Sequence, residues 1–566
     1  MALYVHSTSG PPPIVVPEIS RKSASFHPSV WGDKFLAYNN PNAVKTDVDH
    51  EEEVHLQLLK EEVKKMLGAR DAPQQKLINF IDDIQRLGLS YHFEAELETL
   101  LQHIKDSFRE YYCSKTDDDL HDVALCFRLL RQKGHFVSSD VFNKFKDNKG
   151  KFKDNIDNDV RGMLSLFEAT HLRVHGEDIL EDALEFTTSH LNLYLKLNLN
   201  DPLVDLVGRA LRYPLHISMN RLVARHYISI YHKFPWHNQI LLDLAKRDFN
   251  LVQKVHQTEI ALITRWWKDL DFVNKLPFAR DRIVECYFWI LGVYFEPRYT
   301  KARTFLTKVI SLTSTVDDMY DVYGTAEELQ QFTDAIQKWD ISTLDQLPEY
   351  MRLCYQSLLD VFAKAEEDMV KEGGPTHGFD YAKDAFKRLT RSYHQEAKWC
   401  QVGYFPTYEE YMSIACVTDG LKMLSVTSIV LLGNVATREA FEWMSKDPLI
   451  QRAMSVLGRL KNDIVGHENE RKRPHIPSAV ECFIEQYGVP KETAYGALKK
   501  HTINAWKDIN QECLRPIAIP MPLIQRIFNL SCVTNLLYDE GYDGYTISST
   551  KTKDKIASIL IDPIPV

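Results

Sequence analysis

Three aspartates, Asp317, Asp318 and Asp321, fall inside one hydrophobic run, "TSTVDDMYDVYG". Phe305, Val309, Leu312 and Val316 before them form an apolar stripe at helical spacing, so the run has a core-facing side. Asp317 and Asp321, four residues apart, share a helix face and repel each other, while Asp318 sits about 100° round the axis. Carboxylates beside a core are costly to desolvate unless something cationic neutralises them. Alone, the pattern is equally that of an exposed acidic turn. A second stretch, "GRLKNDIVGHENE", changes the balance: Asn462, Gly466 and Glu470 recur every four residues on one face, after apolar Leu457 and Leu460. The combined donors are oxygens, without sulfur or paired histidines, and Gly466 leaves a place that water can fill. Such a set suits Mg²⁺, a hard octahedral ion that keeps waters and is shared with substrate phosphates.

Both stretches need helices to hold them, and helical periodicity dominates the chain. In "LLKEEVKKMLG" the apolar residues Leu59, Val63, Met66 and Leu67 line one face before Gly68. "KLINFIDDIQRLG" repeats the arrangement with Leu77, Ile81, Ile84 and Leu87, and "VALCFRLLRQKG" does so before Gly134. No stretch alternates apolar and polar residues as a half-buried strand would, so the expected fold class is all-α. A chain of 566 residues exceeds one ordinary core, and Pro235 in "YHKFPWHNQ" interrupts one helical pattern before another starts. The expected division is a flexible segment over 1–21, one helical domain over 22–235 and a second over 236–566.

Composition narrows the function classes. With 44% hydrophobic and 26% charged residues the chain reads as soluble and globular, and a formal net charge of −10 argues against nucleic acid as a partner. The nine cysteines are scattered without a CxxC pair, which suits a reducing compartment. The first twenty residues carry no Lys or Arg and are Pro-rich, unlike a secretory signal or a transit peptide. No apolar run approaches the ~18 residues of a membrane span, so a cytoplasmic location and a monomer are expected. The acidic runs "DHEEE" and "TDDDLHD" read as solvated faces or loops, and "KEGGPTHG" as a loop between helices.

The pairing of "DDMYD" with "NDIVGHENE" resembles the two metal-binding motifs of class I terpene synthases, in the plant sesquiterpene synthase group. The resemblance runs through nearly the whole chain. "RKSASFHPSVWGDKF" is similar to the family's Arg-Arg, eight residues, Trp signature, with Lys22 in place of the second arginine. "WWKDLDFVNKLPFARDRIVECYFW" and "DEGYDGYT" resemble other blocks. The family implies an N-terminal helical domain without catalytic metal and a C-terminal α-bundle enclosing an apolar cavity.

Carried over residue by residue, the resemblance makes Asp317 and Asp321 metal ligands and Asp318 a supporting carboxylate, with Asn462 and Glu470 holding a third ion. Three Mg²⁺ ions are expected, with Mn²⁺ able to substitute, and the partner is a prenyl diphosphate. Gly466 stands where Ser or Thr is commoner. Arg280, Arg282 and Arg459 match arginines around the diphosphate, whose planar forks suit phosphate oxygens. Trp289 matches a cavity tryptophan, and Tyr538, Asp543 and Tyr545 a set near the lid. Farnesyl diphosphate is the expected substrate and geranyl diphosphate the alternative. A chain-elongating prenyltransferase would carry two Asp-rich motifs on about half this length, and a helical scaffold with relic motifs would have no reason to keep these residues together.

Overall fold

A computed structural model of the chain describes residues 21, 26, 28–38, 47–69, 73–112, 119–153, 159–198, 200–471, 476–539, 541–547 and 550–566. The side chains of 47–50, 109–112, 469 and 470 lie outside that description, as do Lys22 and residues 1–20 of the expected N-terminal segment.

The periodic stretches fold as helices. Leu59, Val63 and Leu67 are buried on the helix Asp47–Leu67, and Ile81, Ile84 and Leu87 on and just after Gln74–Arg86. Of the acidic run "TDDDLHD", 116–118 lie outside the described residues, and 120–122 depart from the reading as a solvated face or loop. Asp119 caps the helix Leu120–Gln132 by accepting from the His121 amide, but His121 and Asp122 are buried within that helix. His121 Nδ1 meets Ser165 Oγ at 2.7 Å, and Nε2 meets Asn79 Oδ1 at 2.9 Å. The helix is buried on all sides, and that long-range packing overrides its local polarity.

The helix Asn220–Ile230 ends in a short 3-10 turn before Pro235. Asn238 then starts the 32-residue helix Gln239–Leu270 by accepting from the amides of Ile240 and Leu241. This long helix is an axis for both ends of the chain. Near the N-terminus, Trp31 and Phe35 are buried against it and its neighbours, and Trp31 Nε1 donates to Glu285 at 2.9 Å. At the C-terminus, the helix Thr550–Leu560 packs on it and on Asn220–Ile230. Asn250 exchanges two 2.8 Å hydrogen bonds with the backbone of Ile564, and Gln257 donates to Leu560 O at 2.8 Å.

Around this axis the C-terminal half packs further helices, including Ile283–Val293, Thr300–Asp318, His377–Val402, Leu449–Glu470 and Met521–Leu537. The first two are pinned to the long helix by a buried ion pair. Arg303 donates to both oxygens of Glu259 at 2.7 Å, Tyr287 OH donates to the same carboxylate at 2.7 Å, and Arg303 Nη1 reaches Tyr294 O at 2.9 Å. With every partner bonded, the pair fixes the angle between the two helices. Strand is confined, among the described residues, to the antiparallel pairing of Tyr538 with Asp543 and Asp539 with Tyr542 and a bridge between Lys146 and Phe152. No described helix is long and apolar enough to cross a membrane.

Candidate active site

The helix Thr300–Asp318 delivers the first motif. Its stripe of Phe305, Val309, Leu312 and Val316 is buried as expected, and a second buried row satisfies itself: Thr307, Ser311 and Thr315 each donate to the carbonyl four residues back. Past Asp318 the helix widens into a π turn over Met319–Tyr323. Asp321 lies in that turn, so its position relative to Asp317 is not the α-helical one that four-residue spacing implies.

Asp317 and Asp318 meet one arginine. Arg280 Nη2 donates to Asp317 Oδ2 at 2.5 Å, Arg280 Nε lies 2.9 Å from Asp318 Oδ1, and the Arg280 amide donates to Asp318 Oδ2 at 2.7 Å. Asp317 is half-buried and lines a cavity; Asp318 is buried and lies off it, turned to Arg280. Burial pushes the Asp318 carboxyl up to about 7 against the pull of Arg280, and raises Asp317 as well.

The second motif rides on Leu449–Glu470. Arg459 Nη2 donates to Asn462 Oδ1, and Arg459 Nε lies 2.9 Å from Asp463 Oδ1. Asp463, buried, also accepts from Tyr411 OH and the Ala479 amide at 2.7 Å, which anchors this helix to its neighbours. Gly466 is buried on the same helix; the Glu470 side chain is outside the described residues. Asp317 and Asn462, which lead the two motifs, are thus each held by an arginine.

The cavity has about 760 Å³ of empty space, counting its mouth. Asp317, Arg280, Arg459 and Asn462 line it together with Trp289, Tyr538 and Tyr545. The Trp289 ring meets Tyr545 at 5.4 Å and Tyr538 at 6.0 Å, both edge to face. Tyr545 OH donates to Ser314 Oγ at 2.7 Å, and Arg280 stands 5.5 Å over the Tyr545 ring.

Arg282, expected around the diphosphate, and Asp543, expected near the lid, do not line this cavity. Arg282 is buried and donates to the carbonyls of Tyr545 at 3.2 Å, Thr546 at 2.9 Å and Asp281 at 2.9 Å, so it braces the 538–547 segment. Asp543 Oδ1 accepts from the amides of Tyr545 and Thr546 at 2.9 Å, turning the chain so that Tyr545 enters the cavity. The same spacing that aligned them in sequence says nothing of which way a loop faces.

Two described residues ahead of Trp31, Arg21 and Phe26, strap onto this region. Arg21 pairs with both oxygens of Glu328 at 2.7 and 2.8 Å and lies over the rings of Tyr323 and Tyr350. Phe26 lies 5.3 Å from the Arg280 guanidinium. Sequence reading also missed Tyr393, Thr418, Asp419, Gly420 and Thr534, which line the cavity. The signal for three of them was the Asp-Gly pair in "VTDGLK". Gly420, at φ +74, breaks the helical run between Tyr408–Thr418 and Leu421–Ser428, a conformation that favours glycine.

Among the described residues no three His, Cys, Asp or Glu side chains converge into a closed metal site. The donors that face the cavity are oxygens on two helices with an open side between them, which fits a hard cation completed by water and by a ligand's own phosphates.

Two family models match the chain: "Terpene synthase, N-terminal domain" over residues 30–211 and "Terpene synthase family, metal binding domain" over 268–508. The sesquiterpene synthase 2 of Thapsia garganica is 69% identical over 565 residues, all of both chains. The (-)-germacrene D synthase of Vitis vinifera is 52% identical over 97% of each. Among solved structures, isoprene synthase from grey poplar, Populus x canescens, in complex with three Mg²⁺ ions and dimethylallyl-S-thiolodiphosphate, superposes with a TM-score of 0.84. It is 32% identical, over 91% of this chain and 97% of that one.

Proposed function

The chain belongs to the terpene synthase family, and from that membership we propose that it is a sesquiterpene synthase, a carbon–oxygen lyase that ionises farnesyl diphosphate and cyclises the cation. One observation carries the reading: a rim of Asp317, Arg280, Asn462 and Arg459 stands over an aromatic wall of Trp289, Tyr538 and Tyr545 in one cavity. The rim handles the charge of a diphosphate and the wall faces what remains when it leaves.

Asp317 at the end of one helix, Asp321 in the π turn after it, and Asn462 and Glu470 from a second helix would hold the divalent ions, with water beside Gly466. Mg²⁺ is the ion that such oxygens favour, and three ions fit the poplar relative's complex. Bound there, the metal supplies positive charge for the leaving group. Arg280 and Arg459 add guanidinium donors aimed at the oxygens on which charge develops, held by carboxylates before substrate arrives. Asp318 positions Arg280, and Arg282 and Asp543 position Tyr545. Trp289, Tyr538 and Tyr545 present π faces to a cation without offering a ready nucleophile. Arg21 and Phe26 help to keep water out from the strap side.

The non-catalytic unit ends near 235, and the enzyme acts as a cytoplasmic monomer in this reading. Incubation of the purified protein with Mg²⁺ and C10, C15 or C20 diphosphates, with product analysis by gas chromatography and mass spectrometry, tests it. Farnesyl diphosphate should exceed geranyl diphosphate in kcat/KM by at least about tenfold, on the order of 1.4 kcal/mol. A reversed ratio makes this a monoterpene synthase, and undiminished turnover in EDTA removes the metal assignment.

A further inference from the structure

The cavity contains oxygens that the mechanism above leaves idle. Asp419 stands at the break opened by Gly420, where its Oδ1 accepts from the Leu421 amide at 3.0 Å. Its Oδ2 is buried and has no hydrogen-bond partner among the described residues. Two hydroxyls share that condition: Thr534 Oγ1 on Met521–Leu537, 1% exposed, and Ser455 Oγ on Leu449–Glu470, 0% exposed. Gly458 ties them to one place. A Cβ at that position would stand 3.5 Å from both Asp419 Oδ2 and Thr534 Cγ2, and it would collide with the Leu421 side chain. Ser455 lies one turn earlier on the same helix, close enough to Asp419 to ease the rise in its carboxyl. Asp419 and Thr534 line the cavity together with the apolar Trp289, Ile310, Leu421 and Leu424. A carboxylate oxygen and two hydroxyls from three neighbouring helical segments, buried and without a well-formed hydrogen bond among the described residues, form a donor and acceptor set that can hold a single water.

We propose that Asp419, Thr534 and Ser455 hold the water that ends the reaction, so that the final carbocation is released as a sesquiterpene alcohol. This rests on the sesquiterpene synthase reading and goes beyond it by naming the quenching group and the product class. The water oxygen gives a lone pair to the cationic carbon and forms the new C–O bond. One proton of the resulting oxonium passes to Asp419 Oδ2. The sum is farnesyl diphosphate plus water giving alcohol, diphosphate and a proton. Burial pushes the Asp419 carboxyl up to about 7, with Arg459 and Lys422 opposing the rise, so it can take and later release a proton near neutrality.

Turnover of farnesyl diphosphate in ¹⁸O-labelled water, with diphosphate release measured separately, provides the test. The wild type should yield mainly an alcohol that carries ¹⁸O. Asp419→Asn should lower the alcohol share per diphosphate released at least tenfold in favour of hydrocarbons, and Ser455→Ala and Thr534→Val should lower it several-fold. Thr534→Val keeps the side-chain shape and carries the test should Asp419→Asn fail to fold. Diphosphate release with only hydrocarbons from the wild type, an alcohol without label, or an unchanged alcohol share in Thr534→Val would each overturn the proposal while leaving the sesquiterpene synthase reading intact. Absence of diphosphate release from any prenyl diphosphate would overturn that reading, and this inference with it.

Discussion

Replacing Arg280 separates its two duties, holding carboxylates at rest and meeting a leaving group. In Arg280→Ala the half-buried Asp317 loses its partner, and Asp318, 2% exposed at its side chain, keeps only a backbone amide. Stranding a buried charge costs about 3–5 kcal/mol. Asp318 already stands at about 7 and can take up a proton instead, so the expected loss falls below that range, at about 2–3 kcal/mol. Turnover should suffer more, because removing one preorganised donor aimed at developing negative charge typically lowers kcat by about 10²–10³. Arg280→Lys divides the effects. A single ammonium keeps the charge but cannot reach both carboxylates as a fork does, so more than half of the stability should return while kcat stays at least about tenfold down. Urea denaturation and single-turnover diphosphate release, measured on both variants, provide the comparison. An Arg280→Ala enzyme within threefold of wild-type kcat, or a lysine variant equal to wild type in both assays, would refute the double duty.

Asp83 in the N-terminal half gives a pH prediction. Burial, with Asp82 adding to it, raises its carboxyl to about 7, while Tyr227 and Tyr231 donate to it at 2.8 Å. The folded state therefore keeps a proton that the unfolded chain loses above about pH 4, so this stabilisation is full below that and fades as pH rises to about 7, by roughly 4 kcal/mol. Asp83→Asn should flatten stability over that window; a denaturation midpoint series with the wild-type slope would count against it. Trp289→Ala should lose activity or shift products to acyclic and early-cyclised terpenes, and an unchanged profile and rate would remove Trp289 from the wall. Arg21→Ala removes a charge-assisted pair and two ring contacts at a partly exposed site, about 1–2 kcal/mol, so kcat/KM should fall about 5- to 30-fold with faster proteolysis ahead of Trp31. Equal proteolysis and kcat/KM would show that the strap does not depend on it.

Periodicity made the helices legible, because burial of one face is written every three or four residues in Phe305, Val309, Leu312 and Val316. The same logic placed Asn462 and Asp317 on helices, and the resemblance brought Trp289, Tyr538 and Tyr545 to one wall. What spacing could not carry was direction across distance. Arg280 and Arg282 are two residues apart, yet one lines the cavity and the other clasps the carbonyls of Tyr545 and Thr546, because the chain turns between them into the helix Ile283–Val293. Asp321 fell in a π turn, which no local residue type announces. Asp419 was passed over because an acidic residue before glycine reads as an ordinary turn until its oxygen is seen buried without a partner.

The long helix Gln239–Leu270, to whose neighbourhood both chain ends fasten, bears on how the protein is assembled on the ribosome. Trp31 emerges 254 residues ahead of its partner Glu285, and Arg21 307 residues ahead of Glu328. At about 5–20 residues per second, that is roughly 15–60 seconds of translation with the strap undocked. The other fastening, Ile564 on Asn250, spans 314 residues and forms later still. The N-terminal helices, with their nearer contacts, can pack during synthesis, but Trp31 and Arg21 take their places only once Glu285 and Glu328 have emerged. A nascent chain therefore carries no finished reaction chamber until Tyr538 and Tyr545 have followed the helices that bear Asp317 and Asn462.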